Sequence, residues 1–215
     1  MSKSASQQRF PRLYPIVDEG VLARHGLDVR RFVAELRAAG VQLLQYRNKL
    51  GTPDSILRSA AVVWEVFAGT GCRLMMNDRA DLAVLAGFAG VHVGQGDLSP
   101  EDARRVVGVE RWVGVSTHND EQVRLANGTS ADYIAVGPVF ATGTKVDAEP
   151  VIGLDGVRRA RALTKKPIVA ISGITRANAK SVIDAGADSV AAISALLVEG
   201  ETVEKVVGDF LEILR

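Results

Sequence analysis

The stretch VQLLQYRNKLGTPDSILRSAAVVWEVFAGTGCRLMMN, residues 41–77, contains one complete strand–helix–strand unit. An apolar strand over 41–47 is followed by Thr52 and Pro53, residue types that favour the cap and the first position of a helix. A second apolar strand over 73–77 closes the unit. Parallel strands that are buried on both faces and joined by a helix have this pattern, so the stretch predicts an α/β fold.

The same alternation continues along the whole chain. Further helix-like segments open with a capping residue and close with glycine, at 28–40, 99–108 and 175–186. Short apolar segments predict eight strands, over 12–18, 41–47, 73–77, 90–94, 112–116, 132–137, 167–172 and 189–194. Eight such repeats in about 200 residues predict a single (β/α)₈ TIM barrel. The alternative is an open doubly wound sheet, but the Gly-x-Gly at 94–96 has Ser99 where a dinucleotide-binding loop needs its third glycine.

The amino-acid composition limits the kinds of partner that the protein is expected to bind. The 26 Lys and Arg residues nearly balance the 25 Asp and Glu residues, so no global field attracts nucleic acid or a membrane, and we expect neither as a partner. No apolar run is long enough to span a bilayer. The single cysteine, Cys72, excludes a disulfide framework and indicates a cytoplasmic protein. Residues 1–10 predict a disordered polar tail before a barrel domain over 11–215; homo-oligomerisation is left open.

Polar side chains follow the predicted strands at the end where barrel enzymes place their active sites. Gln45, Arg47 and Lys49 alternate along the second strand and therefore share one face. A guanidinium and an ammonium group suit a substrate phosphate, so we expect this face to grip an oxyanion. The alternative, a solvated strand edge, is disfavoured because a closed barrel has no edge strand.

Asp78 and Asp97 end the third strand and follow the fourth, so their carboxylates are expected to approach each other. Mg²⁺ is commonly held by one or two carboxylates together with substrate phosphates. The alternative is that each aspartate caps the helix that follows it. Arg47 and Lys49 nearby favour the metal site.

A second anion site is predicted after the last two strands. Gly173 and Ser194 occupy the loops that usually bind phosphate in this fold, although Gly173 could also be a plain turn glycine. The long segment 141–153 is a candidate lid and carries further donors. Among the histidines, His92 is expected to be a satisfied core residue, and His118 to line the mouth.

Together these residues resemble the thiamine-phosphate synthase family. The motifs come in the family's order, and none is specific alone: QYRNK (45–49), ND (77–78), GVHVGQGD (90–97), GVSTH (114–118), GPVFATGTK (137–145), SGIT (172–175) and ISA (193–195). The resemblance implies an enzyme that joins 4-amino-2-methyl-5-(diphosphooxymethyl)pyrimidine to a thiazole phosphate or its carboxylate. It releases pyrophosphate and yields thiamine phosphate through a dissociative, carbocation-like step.

The resemblance also assigns roles to residues. Mg²⁺ would be held by Asp78 and Asp97. The catalytic residues would be Arg47, Lys49, Lys145 and Ser116. The three cations would stabilise the leaving diphosphate, and Ser116 would lie at the pyrimidine diphosphate substrate. The substrate contacts would be Gln45, Tyr46, Arg47, Asn48, Lys49, Asn77, Ser116, Thr142, Gly143, Thr144, Lys145, Gly173, Ile193 and Ser194, with the thiazole phosphate at Thr142, Thr144, Gly173, Ile193 and Ser194.

The sequence departs from the family pattern at Ser172, Gly143 and Pro15, and two alternative functions compete with this assignment. Ser172 stands where the family usually has a second glycine before Gly173, which adds a side chain beside the expected phosphate. A related thiazole tautomerase would need no diphosphate grip, so QYRNK together with both aspartates disfavours it. A non-catalytic binder of thiamine intermediates would have no need to activate a leaving group.

Overall fold

Eight parallel strands close into a barrel in the computed structural model, which describes residues 10–142 and 149–215. Neighbouring strands pair in sequence order, and the last strand closes onto the first. The strands are β1 (Leu13–Asp18), β2 (Leu43–Arg47), β3 (Arg73–Asn77), β4 (Gly90–Val93), β5 (Trp112–Thr117), β6 (Tyr133–Val136), β7 (Ile168–Ala170) and β8 (Ser189–Ala192). The predicted barrel is confirmed, and the open sheet is excluded.

Helices surround the barrel. They are α1 (Glu19–Arg24), α2 (Val29–Ala38), α3 (Pro53–Phe67), α4 (Ala80–Leu85), α5 (Pro100–Val107), α6 (Asp120–Asn127), α7 (Gly153–Leu163), α8 (Ala179–Asp184) and α9 (Val203–Ile213). The predicted caps Asp28, Thr52 and Ser99 each accept a hydrogen bond from a backbone N–H in the first helical turn. The helix α8 begins later than predicted, because Asn178 Oδ1 accepts from Thr175 N and holds the preceding residues in a turn.

The strands separate two apolar regions. Outward-facing side chains such as Leu44 and Tyr46 of β2 belong to the large core between the barrel and its helices. Leu43 belongs to a smaller cluster inside the barrel, together with Tyr14, Met75, Tyr133, Ala135, Val169 and Ala191. Since successive side chains alternate between the two faces of a strand, Gln45 and Arg47 follow Leu43 on the inner face. The face of β2 that begins with Leu43 and ends with Arg47 therefore points into the barrel.

Among the described residues, none of the helices combines the length and the apolar character that crossing a bilayer requires.

Candidate active site

A cavity of about 570 Å³ opens at the C-terminal ends of the strands. This is the position of active sites in (β/α)₈ barrels. The cavity is lined by eleven of the residues selected from the sequence: Gln45, Arg47, Lys49, Asn77, Asp78, Asp97, Ser116, Thr142, Gly173, Ile193 and Ser194. Gly143, Thr144 and Lys145 lie outside the described residues, as does part of the predicted lid over 141–153.

Arg47 is held by a carboxylate that was not selected from the sequence. Its Nη1 donates to Oδ2 of Asp18, the last residue of β1, whose side chain is almost fully buried. The other carboxylate oxygen, Oδ1, accepts from Val21 N at 2.9 Å and caps α1. Asp18 therefore ties the guanidinium to the start of a helix and limits its freedom before any ligand binds.

Tyr46 and Asn48, also expected as substrate contacts, are not among the described residues that line the cavity. Tyr46 Oη donates to Glu19 Oε1 at 2.7 Å, and Asn48 Nδ2 donates to Glu19 Oε2 at 2.6 Å. The strand pleat explains this, because residues on either side of Arg47 leave on the opposite face. These two side chains fix the end of β2 to α1 from outside the barrel.

A charged cluster lies just beyond the ends of β2, β3 and β4. It consists of Lys49, Asp78 and Asp97. Lys49 Nζ lies 2.5 Å from Asp78 Oδ2, and the Asp97 carboxyl is close enough to the Asp78 carboxyl to affect its pKa. Asp97 Oδ2 also accepts from Gly94 N at 2.8 Å. Burial raises the pKa of Asp78; the Lys49 ammonium opposes this rise and Asp97 adds to it.

Neither aspartate caps the following helix. The residue that precedes α4 is Arg79, and no side chain caps that helix, while α5 is capped by Ser99. Asp78 instead adopts a left-handed backbone with φ of 60°, a conformation that aspartate tolerates better than most residues. This turn lets Asp78 line the cavity, and the helix-cap alternative is wrong for both aspartates.

The carboxylate pair has the chemistry of a Mg²⁺ site completed by a ligand. Two carboxylates that face each other repel unless a proton or a cation lies between them. Within the described ranges, no group of three or more His, Cys, Asp or Glu side chains could hold a metal ion by itself. A hard cation at Asp78 and Asp97 would therefore take its other oxygen ligands from water or a phosphate, as Mg²⁺ commonly does.

The opposite wall is built from the loops that follow β7 and β8. Gly173 has φ of 68°, and a Cβ there would lie 2.6 Å from the Ala141 carbonyl oxygen. Its carbonyl oxygen accepts from Asn178 Nδ2 at 3.0 Å. The glycine is therefore required by the packing of two loops. Ile193 and Ser194 lie at the end of β8, where a short 3₁₀ turn over Ser194–Leu196 begins.

A buried chain of hydrogen bonds crosses the barrel below the cavity. Gln45 Nε2 donates to Tyr14 Oη at 3.1 Å, and Tyr14 Oη lies 2.9 Å from Tyr133 Oη. His92 follows, with Nδ1 at 2.9 Å from Tyr133 Oη and Nε2 at 2.9 Å from Ser116 Oγ. His92 is thus a satisfied core histidine, as expected. It also lines the cavity, and it joins the buried Tyr133 to the cavity residue Ser116.

His118 lines the mouth, also as expected. Its Nδ1 lies 2.6 Å from the Gly137 carbonyl oxygen, so this ring nitrogen is the donor, and Gln122 Oε1 accepts from its backbone N–H. Nearby, Gln95 Nε2 donates to the Ser116 carbonyl at 2.6 Å. These contacts fix the ends of β4, β5 and β6 relative to one another.

Comparisons with known proteins agree with this geometry. The family model described as thiamine monophosphate synthase matches residues 13–196. The chain belongs to the thiamine monophosphate synthase family. The thiamine-phosphate synthase of Koribacter versatilis is 52% identical over 98% of this chain and 99% of its own length. That of Methanoregula boonei is 40% identical over 89% of this chain and 88% of its own.

A solved structure of a family member has the same architecture. The thiamine phosphate pyrophosphorylase of Pyrococcus furiosus superposes with a TM-score of 0.84 at 30% identity, covering 94% of this chain and 95% of its own. Together with the relatives named above, it confirms the resemblance, the barrel and the predicted thiamine-phosphate synthase activity, a transferase reaction. The enzyme therefore acts on small molecules in thiamine biosynthesis.

Proposed function

We propose that the cavity binds its two substrates on opposite walls. The diphosphate of 4-amino-2-methyl-5-(diphosphooxymethyl)pyrimidine lies against Arg47, Lys49 and the Asp78–Asp97 pair. The thiazole phosphate, or its carboxylate, lies against the loops that carry Gly173 and Ser194. The proposal rests on one observation: two cations and two carboxylates share one wall of a cavity whose other wall consists of the phosphate-binding loops of this fold.

Mg²⁺ fits this arrangement. Asp78 and Asp97 would hold it, and it would neutralise part of the negative charge on the diphosphate. The chain itself supplies Arg47, which donates hydrogen bonds to the phosphate oxygens from an orientation set by Asp18. Lys49 is half-exposed, so its ammonium can move from Asp78 to a phosphate oxygen when the ligand enters.

The reaction needs charge stabilisation and a dry cavity more than it needs a protein nucleophile. The bond between the pyrimidinylmethyl carbon and the bridging oxygen breaks first, and its electron pair leaves with the diphosphate. The thiazole nitrogen then donates its lone pair to that carbon. Arg47 and Lys49 act on charge that grows during the first step, so their contacts strengthen as the transition state forms.

The test combines the pyrimidine diphosphate with thiazole phosphate and Mg²⁺, and measures thiamine phosphate and pyrophosphate. We expect the two products in equal amounts, and none in EDTA. Product formation in EDTA would contradict the metal role. Thiazole isomerisation without pyrophosphate release would favour the tautomerase alternative, and binding of both substrates without turnover would favour a non-catalytic binder.

A cytoplasmic location stays a prediction, based on the single cysteine. Burial raises the pKa of the Cys72 thiol to about 12, which makes it a poor nucleophile. Homo-oligomerisation is also untested; sedimentation of the purified protein measures it directly.

A further inference from the structure

The loop that follows β7, residues 171–178, carries two consecutive residues in the left-handed region. Ser172 has φ of 75° and Gly173 has φ of 68°. A residue with a Cβ keeps such a conformation only where the surrounding contacts hold it. On the side of β6, the Ser172 carbonyl oxygen accepts from Phe140 N at 3.2 Å. The shape of this β7 loop therefore depends on the contacts around it.

One side chain fixes the loop internally. Asn178 Oδ1 accepts from Thr175 N at 2.8 Å, and Asn178 Nδ2 donates to the Gly173 carbonyl oxygen at 3.0 Å. Because one asparagine holds both a donor and an acceptor of the loop, residues 173–178 form a small unit. A contact that anchors one residue of this unit also fixes the position of the others.

Arg176 anchors this unit to the last helix. Its Nη1 and Nη2 donate to the two carboxylate oxygens of Glu201, at 3.0 and 2.5 Å, and Nη1 also donates to Asp209 Oδ2. Lys205 Nζ lies 2.6 Å from Glu201 Oε2 and 3.0 Å from Asp209 Oδ2. Isolated surface ion pairs contribute little, but a two-pronged arginine–carboxylate pair within a network of charges contributes measurably.

The network stays ionised near neutral pH. Hydrogen bonds from Arg176 and Lys205 lower the pKa of Glu201 to about 2, and hydrogen bonds from the same two cations lower the pKa of Asp209. The side chains of Arg176 and Glu201 are 28% and 23% exposed, so solvent and salt screen their attraction less than that of a fully exposed pair. The anchor is therefore present under ordinary assay conditions.

The far end of the anchor belongs to the other loop of the same wall. The β8 loop, residues 193–202, begins in the cavity wall and ends at Thr202, which caps α9. Glu201 lies at this end. Val203 N donates to Glu35 Oε2 of α2 at 2.7 Å, which fixes the start of α9. The arginine therefore joins the β7 loop to the end of the β8 loop, at a point held by two helices.

We propose that Arg176 is a positioning residue that fixes the two loops of the thiazole-phosphate wall relative to each other from outside the cavity. The proposal rests on the proposed function, which brings a phosphate to this wall. Thr175 lines the cavity, whereas its neighbour Arg176 is not among the described residues that do. The guanidinium acts through the backbone of the loops and does not touch the substrate. Its loss should weaken the binding of thiazole phosphate and leave the diphosphate wall intact.

The experiment compares Arg176→Met with the wild type, with Mg²⁺ present. Calorimetry measures the Kd of thiazole phosphate, and steady-state formation of thiamine phosphate gives the KM for each substrate. We expect the Kd and KM for thiazole phosphate to rise about three- to tenfold, as for the loss of a coupled network of charges. The KM for the pyrimidine diphosphate should stay unchanged. Arg176→Lys keeps the charge without the two-pronged geometry and should recover part of the affinity.

The matched control is Arg161→Met. Arg161 is 31% exposed, its Nη1 lies 2.9 Å from Asp188 Oδ2, and its guanidinium also donates to the carbonyl oxygens of Thr164 and Lys166. This ion pair lies just before β8, at the opposite end of the barrel from the cavity. Its loss should lower the midpoint of thermal unfolding and leave both KM values unchanged. An equal rise in the KM for thiazole phosphate would show that general loosening, and not the anchor, causes the effect.

Glu201→Gln breaks the anchor from its other side and keeps the test decisive if Arg176→Met fails to fold. It should also raise the Kd of thiazole phosphate. The free-energy effect of the double variant should be smaller than the sum of the two single effects, because both changes disrupt the same pair. Fully additive effects would contradict a common anchor.

The outcomes separate this proposal from the proposed function. If the wild type makes thiamine phosphate, but Arg176→Met and Glu201→Gln bind thiazole phosphate as the wild type does, the positioning role is overturned and the proposed function stands. Equal losses of affinity for both substrates would also overturn it. A Kd for thiazole phosphate that rises in these variants and not in Arg161→Met would support it even without turnover. Failure of the wild type to bind thiazole phosphate would overturn both.

Discussion

Lys49 Nζ lies 2.5 Å from Asp78 Oδ2, so a cation expected to grip the diphosphate is paired with a carboxylate expected to bind the metal. The ion pair joins the ends of two neighbouring strands. It also partly compensates the cost of burying Asp78 beside Asp97. We therefore expect the two sites to be coupled, because a cation at the carboxylates would replace Lys49 as the partner of Asp78 and leave its ammonium to contact the phosphate.

Lys49→Met should lower kcat by roughly ten- to a hundredfold. A hydrogen bond to a charged group contributes about 1.5–3 kcal/mol, and about 1.4 kcal/mol corresponds to tenfold in rate. Methionine keeps most of the length and removes the charge. Steady-state kinetics with each substrate varied measures the effect; a change confined to KM would mean that Lys49 contacts the ground state equally well.

The control for this variant is Lys165→Met. Lys165 is exposed just before β7, at the opposite end of the barrel, and its loss should leave kcat unchanged. Lys166 is unsuitable, because its ammonium donates to the carbonyl oxygens of Ala126 and Thr129. Equal losses for Lys49→Met and Lys165→Met would make Lys49 an ordinary surface charge.

Asp78→Asn should abolish most of the activity and stabilise the metal-free protein. Burial raises the pKa of Asp78, so its ionised form costs folding free energy. This cost develops as the pH rises above the unfolded-state pKa and is complete above the folded-state pKa. Denaturant unfolding in EDTA should therefore show a more stable variant near neutral pH and a shrinking difference toward acid.

Two further variants check this interpretation. Asp78→Ala removes the same carboxylate but places alanine at φ of 60°, which costs about 1–2 kcal/mol, so it should be less stable than Asp78→Asn. Asp81→Asn removes a half-exposed carboxylate from the neighbouring helix and should leave kcat unchanged. Full activity of Asp78→Asn would exclude the aspartate from the metal site.

Arg47→Ala should affect the binding of one substrate and not the other, because the two substrates are expected on opposite walls of the cavity. We expect the KM for the pyrimidine diphosphate to rise by about tenfold or more, through the loss of charged hydrogen bonds, with little change in the KM for thiazole phosphate. Asp18→Asn keeps a good helix cap and removes the charge that orients Arg47. It should therefore raise the KM for the pyrimidine diphosphate by less than Arg47→Ala does. Equal effects on both substrates would contradict the division of the cavity.

The strand ends explain why much of the site can be predicted from sequence. Gln45, Arg47 and Lys49 are two residues apart, and this spacing alone places them on one face. The same reasoning applied to the first strand would have found Asp18, the polar residue that ends LYPIVD. Tyr46 and Asn48 are separated from these residues by the pleat, although the motif contains them.

The buried chain lies beyond that reasoning. Tyr14 and Tyr133 are 119 positions apart, and a tyrosine within an apolar strand is typical of a core. Their pairing depends on how the barrel closes and on the space left by Gly114, neither of which local spacing reports. The sequence shows that Ser172 departs from the family motif. It does not show that the backbone at this position has a positive φ, which is the conformation that favours glycine.

Ser172→Gly should stabilise the protein and leave the KM for the pyrimidine diphosphate unchanged. Ser172 has φ of 75°, a conformation that costs a residue with a Cβ about 1–2 kcal/mol and costs glycine little. The greater conformational freedom of glycine in the unfolded chain offsets part of this stabilisation. The net increase in the free energy of unfolding is therefore up to about 1 kcal/mol. Ser172→Ala is the matched control, because it removes the hydroxyl and keeps the strain, and should not be stabilised. Denaturant unfolding of the three proteins decides between the explanations: equal stability of the glycine and alanine variants would show that the hydroxyl group, and not the backbone, distinguishes this position from the family's glycine.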